Sequence, residues 1–260
     1  MATWDDLDQE LEFWQDAGDT VTLWWRDDDA VEPTEALDRL IVLSFDNSVP
    51  CALAVVPDMT TGDLVEVLNE VPTIFPVQHG FRHINHAPKG EKAAEFGLHR
   101  ELEEIENDLK VGSSKMAPFV SCLPIFVPPW NRMSDTLNDG LAELGFEGVS
   151  QHAPRKAKRA RGGLCQVNTH VDIINWRTTR GFVGEEKALS FLLSHLRDRR
   201  TKAVDQDEPT GILTHHLDHD EECWGFMERL MRWTSGKSNV RWLAPFEAFQ
   251  TEAPNYELEL

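Results

Sequence analysis

Three successive aspartates, Asp27, Asp28 and Asp29, follow the apolar run Leu23-Trp24-Trp25, and carboxylates this close repel one another once they lose water. A divalent cation would compensate them. An acid-rich helix start would also explain them, because Pro33 and Thr34 follow and acids favour helix N-termini. His79 and His83 stand four residues apart, which puts both imidazoles on one face of a helical turn within reach of a single zinc ion. The competing assignment pairs His83 with His86 and leaves His79 in the core. His215, His216 and His219 place three of the ten histidines within five residues, beside Asp218 and Asp220. A second metal site, a general acid whose pKa a carboxylate raises, and a structural cluster are all compatible with that pattern.

These groups must be brought together by the elements that carry them. Short apolar or β-branched runs at 21–25, 51–56, 73–77, 118–127, 171–176, 211–213 and 240–243 predict buried strands. Amphipathic stretches at 33–45, 59–68, 91–109, 133–144, 184–199 and 221–233 predict the helices between them, and a further helix over about 3–17, with Trp4, Leu7, Leu11 and Phe13 among carboxylates, packs on the outside. Strand alternating with helix, with no break in composition, predicts one α/β catalytic domain over 1–260 built as a distorted parallel (β/α) barrel of about seven strands. In such a barrel the site forms at the C-terminal strand ends. Four of those ends carry unusual groups: Arg26-Asp27-Asp28-Asp29, His79 to His83, Pro128-Pro129-Trp130-Asn131 and Thr214-His215-His216. No Gly-x-Gly-x-x-Gly supports a dinucleotide fold.

The totals narrow the partners. Hydrophobic residues at 41%, with nine Trp and thirteen Phe, supply a sizeable core, and a formal charge of -20 repels nucleic acid and anionic membrane surfaces, so a neutral or cationic substrate is expected. The N-terminal residues lack the basic and apolar regions of a signal peptide and no run is long enough to span a membrane, which predicts a cytoplasmic protein. Cys51, Cys122, Cys165 and Cys223 are widely spaced and expected to be free thiols. The basic run at 153–161 is expected to be a solvated loop.

The order of these motifs resembles the polysaccharide deacetylase family, also called carbohydrate esterase family four. Its first motif, Thr-Phe-Asp-Asp-Gly followed by Pro and Thr, is similar to 26–30 followed by Pro33-Thr34, and the resemblance puts Asp28 in the place of the catalytic base and Asp29 in that of a metal ligand. The second, His-Thr-x-x-His, is similar to 79–83 and implies metal ligation by His79 and His83. The third, Arg-x-Pro-Tyr, resembles Val127-Pro128-Pro129-Trp130-Asn131, with Trp130 where a tyrosine's backbone N–H faces the oxyanion. The fourth, Asp-x-x-Asp-Trp, resembles 172–176, with Asp172, Asn175 and Trp176, and the fifth, Leu-x-His, nominates His215 as the acid.

The resemblance implies one divalent ion, zinc by its ligand set, and hydrolysis of an N-acetyl group on an amino-sugar-containing saccharide. Pro129, Trp130, Asn131 and Trp176 would line the pocket; Arg26, Asp172, Asn175 and His216 would tune it. The chain departs from the pattern at Val127, where the family has arginine, and at Asn175, where it has aspartate. Arg26, two residues before Asp28 and so on the same strand face, is expected to replace the arginine. Hydrolysis of another small amide, and a metal-stabilised carbohydrate-binding protein with impaired turnover, are the alternatives. A register slipped by one residue would give the two aspartate roles to Asp27 and Asp28.

Overall fold

The computed structural model describes residues 1–254. Nine parallel strands run through it: β1 (Val21–Ala30), β2 (Cys51–Val55), β3 (Ile74–His79), β4 (Ile125–Val127), β5 (Gly148–Val149), β6 (Cys165–Gln166), β7 (Val171–Asp172), β8 (Thr210–Thr214) and β9 (Val240–Trp242). The sheet order is β6-β5-β4-β3-β2-β1-β8-β7, with β9 against the start of β1. One continuous segment carries β6 and β7. Its first part pairs with β5, through Val167 N to Val149 O and Thr169 N to Gln151 O, and its second part pairs with β8, through His170 N to Gly211 O. That crossing curls the sheet into a distorted parallel barrel, as the alternation of strand and helix predicts.

Eight α-helices pack around it: α1 (Trp4–Asp16), α2 (Glu35–Asn47), α3 (Gly62–Asn69), α4 (Leu102–Met116), α5 (Asn138–Glu143), α6 (Glu185–Arg200), α7 (Glu221–Ser235) and α8 (Pro245–Phe249). Side-chain caps fix their starts. Thr3, Thr34, Thr61 and Asp220 each accept a backbone N–H from the first turn of α1, α2, α3 and α7, groups that would otherwise lack partners. The helix expected over 91–109 is displaced: 84–101 is largely irregular and α4 begins at Leu102. β4 is likewise confined to the end of the apolar run at 118–127.

Alternation along β1 decides which side chains face the interior. Leu23 and Trp25 join the apolar layer under the helices, whereas Trp24 joins the cluster inside the barrel with Phe75, Val77, Ile125 and Phe249. A period of two then turns Arg26 and Asp28 inward with Trp24, and Asp27 outward with Trp25. The interior is closed by α8, whose Phe249 meets Trp24 edge-on at 5.5 Å. All four cysteines are free. Arg155, inside the basic run, is not solvated but buried, with its guanidinium on Asp205 and Gln166 O. No helix among the described residues is long and apolar enough to cross a membrane.

Candidate active site

The C-terminal ends of the strands open into a cavity of about 660 Å³, within the usual range for small-molecule sites. Asp28, Asp29, His79, His83, Trp130, Asn131, Asp172, Trp176 and His215 line it, together with Lys92, Arg132, His152 and Arg180. Adjacent residues of a regular strand face opposite ways, so Asp28 and Asp29 reach one cavity only because β1 breaks its register between Asp27 and Ala30. Asp29 takes up that irregularity with φ 79°. His83, Trp130, Asn131 and Arg180 also have positive φ, so five of the nine non-glycine residues in that region among the described residues line this one cavity. Backbone strain gathers where side chains must converge.

Asp29, His79 and His83 form a compact triad. Asp29 Oδ1 lies 3.1 Å from His79 Nε2 and 3.3 Å from His83 Nε2. His79 Nδ1 lies 3.0 Å from Val127 O, and because a carbonyl can only accept, Nδ1 carries the proton and the lone pair of neutral His79 sits on Nε2, facing a carboxylate. Two acceptors aimed at each other need a positive charge between them. Burial opposes ionisation of Asp29, but the hydrogen bond with His79 and the charges of His79, His215 and His83 hold its pKa well below the usual carboxylate range. Burial also disfavours charge on His79, yet Asp29 and Asp28 raise its pKa above the usual value. A proton on His79 Nε2 or a bound cation would supply that positive charge.

A geometric test separates this triad from a second one. Two imidazoles bound to one zinc at about 2.0–2.1 Å place their ring centres about 5 Å apart. His79 and His83 are 5.2 Å apart and tilted by 46°, which fits. His170, His195 and Glu208 also lie close together, but the His170 and His195 rings are stacked 3.4 Å apart at 15°, so their lone pairs run parallel instead of converging on an ion.

Arg26 carries the inner half of the site. Its Nε and Nη2 donate to the two oxygens of Asp28 at 2.8 and 3.0 Å, Nη2 donates to Asn131 Oδ1 at 2.6 Å, and Nη1 donates to Ser150 Oγ at 2.5 Å. His215 Nε2 lies 4.0 Å from Asp28 Oδ2, and the Trp176 ring meets His215 edge-on at 4.6 Å. Asp172 accepts from Trp176 Nε1 at 2.8 Å and from Ile174 N, and so steers the indole. Asn175 bonds through its backbone to Gly181 and Arg180.

Asp27 and His216 lie on the other face of the strands. Asp27 Oδ1 meets His216 Nδ1 at 2.5 Å, and Oδ2 accepts from Thr214 Oγ1 and His216 N at 2.6 and 3.0 Å. Burial works against charge on both, but each holds the other ionised: the Asp27 pKa is lowered and that of His216 is raised. The pair ties β1 to the end of β8, fixing His215 beside Asp28.

Several residues here carry no sequence signal. Glu95, 1% exposed, accepts Phe81 N at 3.2 Å and Arg82 N at 2.7 Å, clamping the turn between the two triad histidines. Gly80 at the start of that turn has φ 58°, and a Cβ there would lie 2.3 Å from Glu95 Oε2 and 2.5 Å from Pro129 Cγ. His152, held 3.2 Å from Thr169 Oγ1, and the cations Lys92, Arg132 and Arg180 complete the wall. A buried glutamate amid an irregular stretch and isolated surface cations look like ordinary loop residues in sequence.

No family model matches the chain and no curated protein matches it. Solved structures do match its fold. A protein from Mycobacterium smegmatis described as a polysaccharide deacetylase aligns with TM-score 0.61 over 92% of this chain and 94% of its own, at 15% identity. A family 4 carbohydrate esterase from Streptomyces lividans, in complex with acetate, aligns with TM-score 0.54 over 91% and 98%, at 13% identity. A family 4 pseudoenzyme from Bacillus anthracis aligns with TM-score 0.52 over 86% and 64%, at 11% identity. The chain has the fold of the polysaccharide deacetylases of carbohydrate esterase family four. That fold hosts both active and inactive members, so chemistry must be read from the side chains.

Proposed function

We propose that this chain is a metal-dependent hydrolase that removes N-acetyl groups from an amino-sugar-containing saccharide. The observation that carries this reading is the facing of Asp29, His79 and His83 at 3.1 and 3.3 Å, with a second carboxylate, Asp28, and a histidine, His215, on the same cavity. A divalent ion held by Asp29, His79 and His83, zinc by its two imidazoles and one carboxylate, would polarise the acyl carbonyl and acidify a water.

Asp28 is the base. Both its oxygens are held by Arg26, which aims the carboxylate and leaves its remaining lone pairs for the water's proton. His215, on the far side of Asp28, protonates the departing nitrogen, and Trp176 packs against its ring to hold it there. The Trp130 backbone N–H, at the left-handed turn that follows β4, faces the oxyanion. Trp130 and Trp176 offer flat apolar walls to a sugar ring.

Arg26 bears on the alternative of lost turnover. Val127 removes the arginine that the family's third motif would supply, but the Asp28 carboxylate has a guanidinium partner on its own strand, so base and counter-ion are both present. The test is acetate release from N-acetylated oligosaccharides, from acetylated xylan and from simple acetamides, with and without a chelator. Chelator-sensitive release from the amino sugar supports the reading; release only from a simple acetamide, or none from any, contradicts it.

A further inference from the structure

We propose that the mouth of this cavity binds an anionic substituent of the N-acylated sugar, a carboxylate or a phosphate, between Lys92 and Arg132. The identity of the sugar rests on the deacetylase reading; the anion site rests on the wall itself. The chain as a whole carries -20 and repels anions at a distance, so a cationic wall in its main cavity runs against the background.

Arg132 is held by the backbone beside it, and the segments that carry the two cations are tied together. Arg132 Nη1 donates to Ala93 O at 3.0 Å, Ser134 N donates to Phe96 O, and Phe96 pairs with Met133, which zips 93–96 to 132–134. Buried Glu95 in the same stretch is bonded to the turn between the triad histidines, so the wall keeps a fixed distance from the reacting centre. Lys92 and Arg132 make no ion pair among the described residues, whereas the other charges of the cavity are engaged. Arg26 satisfies Asp28, two N–H donors satisfy Asp172, and Arg180 on the opposite wall is held by Asp218 and lies over the Trp176 ring. The guanidinium of Arg132 keeps free donors facing solvent, the geometry that a carboxylate or phosphate takes in pairs.

The test compares N-acetylglucosamine, its 6-phosphate and its 3-O-carboxyalkyl ether for binding to the native protein, read by rapid-mixing tryptophan fluorescence before turnover. At low salt at least one of the two anions should bind about tenfold more tightly than the neutral sugar. That advantage should shrink as ionic strength rises, and should fall towards unity in Lys92→Gln/Arg132→Gln. Which of the two gains more decides between phosphate and carboxylate. Equal affinity for all three, no binding of any at millimolar concentration, or an advantage that survives the double substitution overturns the proposal. Acetate release is scored separately. Anion preference without release defeats the hydrolytic reading and keeps the anion site; release without preference does the reverse.

Discussion

Arg26 and Asp28, two residues apart on β1, face each other inside the barrel with two hydrogen bonds between guanidinium and carboxylate at 2.8 and 3.0 Å. Both are buried, at 0% and 2% exposure. Removing one partner of such a pair leaves an uncompensated buried charge, so Arg26→Met should cost about 3–5 kcal/mol of stability. Arg26→Met/Asp28→Asn should recover most of that loss without recovering turnover. Denaturant midpoints of the native protein and the two variants, alongside acetate release, check both statements.

The two carboxylates at the end of β1 should separate in their effects. Asp28→Asn keeps the ion and loses most turnover, because an amide cannot take a proton from water. Asp29→Asn weakens ion binding first. Metal content after dialysis and rate constants for both variants decide the matter; loss of the ion in Asp28→Asn with a silent Asp29→Asn would shift the two roles to Asp27 and Asp28.

The clamp beneath the triad histidines gives a third outcome. Glu95→Gln replaces one acceptor oxygen with an amide that meets a backbone N–H, so the turn at 80–82 loosens while the fold persists. Ion affinity should drop about 10–100-fold, the usual cost of disturbing groups that orient ligands. Competition with a fluorescent zinc chelator measures it, and unchanged affinity would show that the turn holds itself.

The sign of the pH dependence of stability follows from buried groups away from the site. Burial, with repulsion from His170, pushes the His195 pKa down to about 2, and burial holds His219 at about 4. The unfolded chain therefore binds more protons, and stability falls as pH drops below the ordinary histidine value of 6.5. Glu208 acts the other way: burial pushes it up to about 7, so its contribution is full below its ordinary 4.5 and is lost as pH rises towards 7. The His195 contribution is lost between pH 7 and pH 5, so melting temperature should fall more, or rise less, across that window in the native protein than in His195→Gln. An equal slope in the variant would remove His195 from the account.

Much of this was legible in the sequence because chemistry and periodicity coincide. The inward pair Arg26 and Asp28 follows from a period of two, and the polar strand ends mark the open face of a parallel barrel. What was hidden has physical causes. The two-residue strands β5 and β6 are too short to show a pattern, and the crossing that curls the sheet depends on backbone bonds at 167–170. The amphipathic stretch at 91–109 suggests one long helix, but Glu95 is drawn inward to the N–H groups of Phe81 and Arg82, and the start of that stretch forms a clamp instead. The bulge at Asp29, which lets neighbouring aspartates share one cavity, is a tertiary outcome that side-chain type alone does not announce.

The most direct measurement titrates zinc into chelator-treated protein while following acetate release from an N-acetylated oligosaccharide. Activity should rise linearly and stop at one ion per chain, and His83→Ala should need far more zinc to reach any rate. Full activity in the metal-free protein, or a titration that stops at two ions per chain, would contradict a single centre at Asp29, His79 and His83.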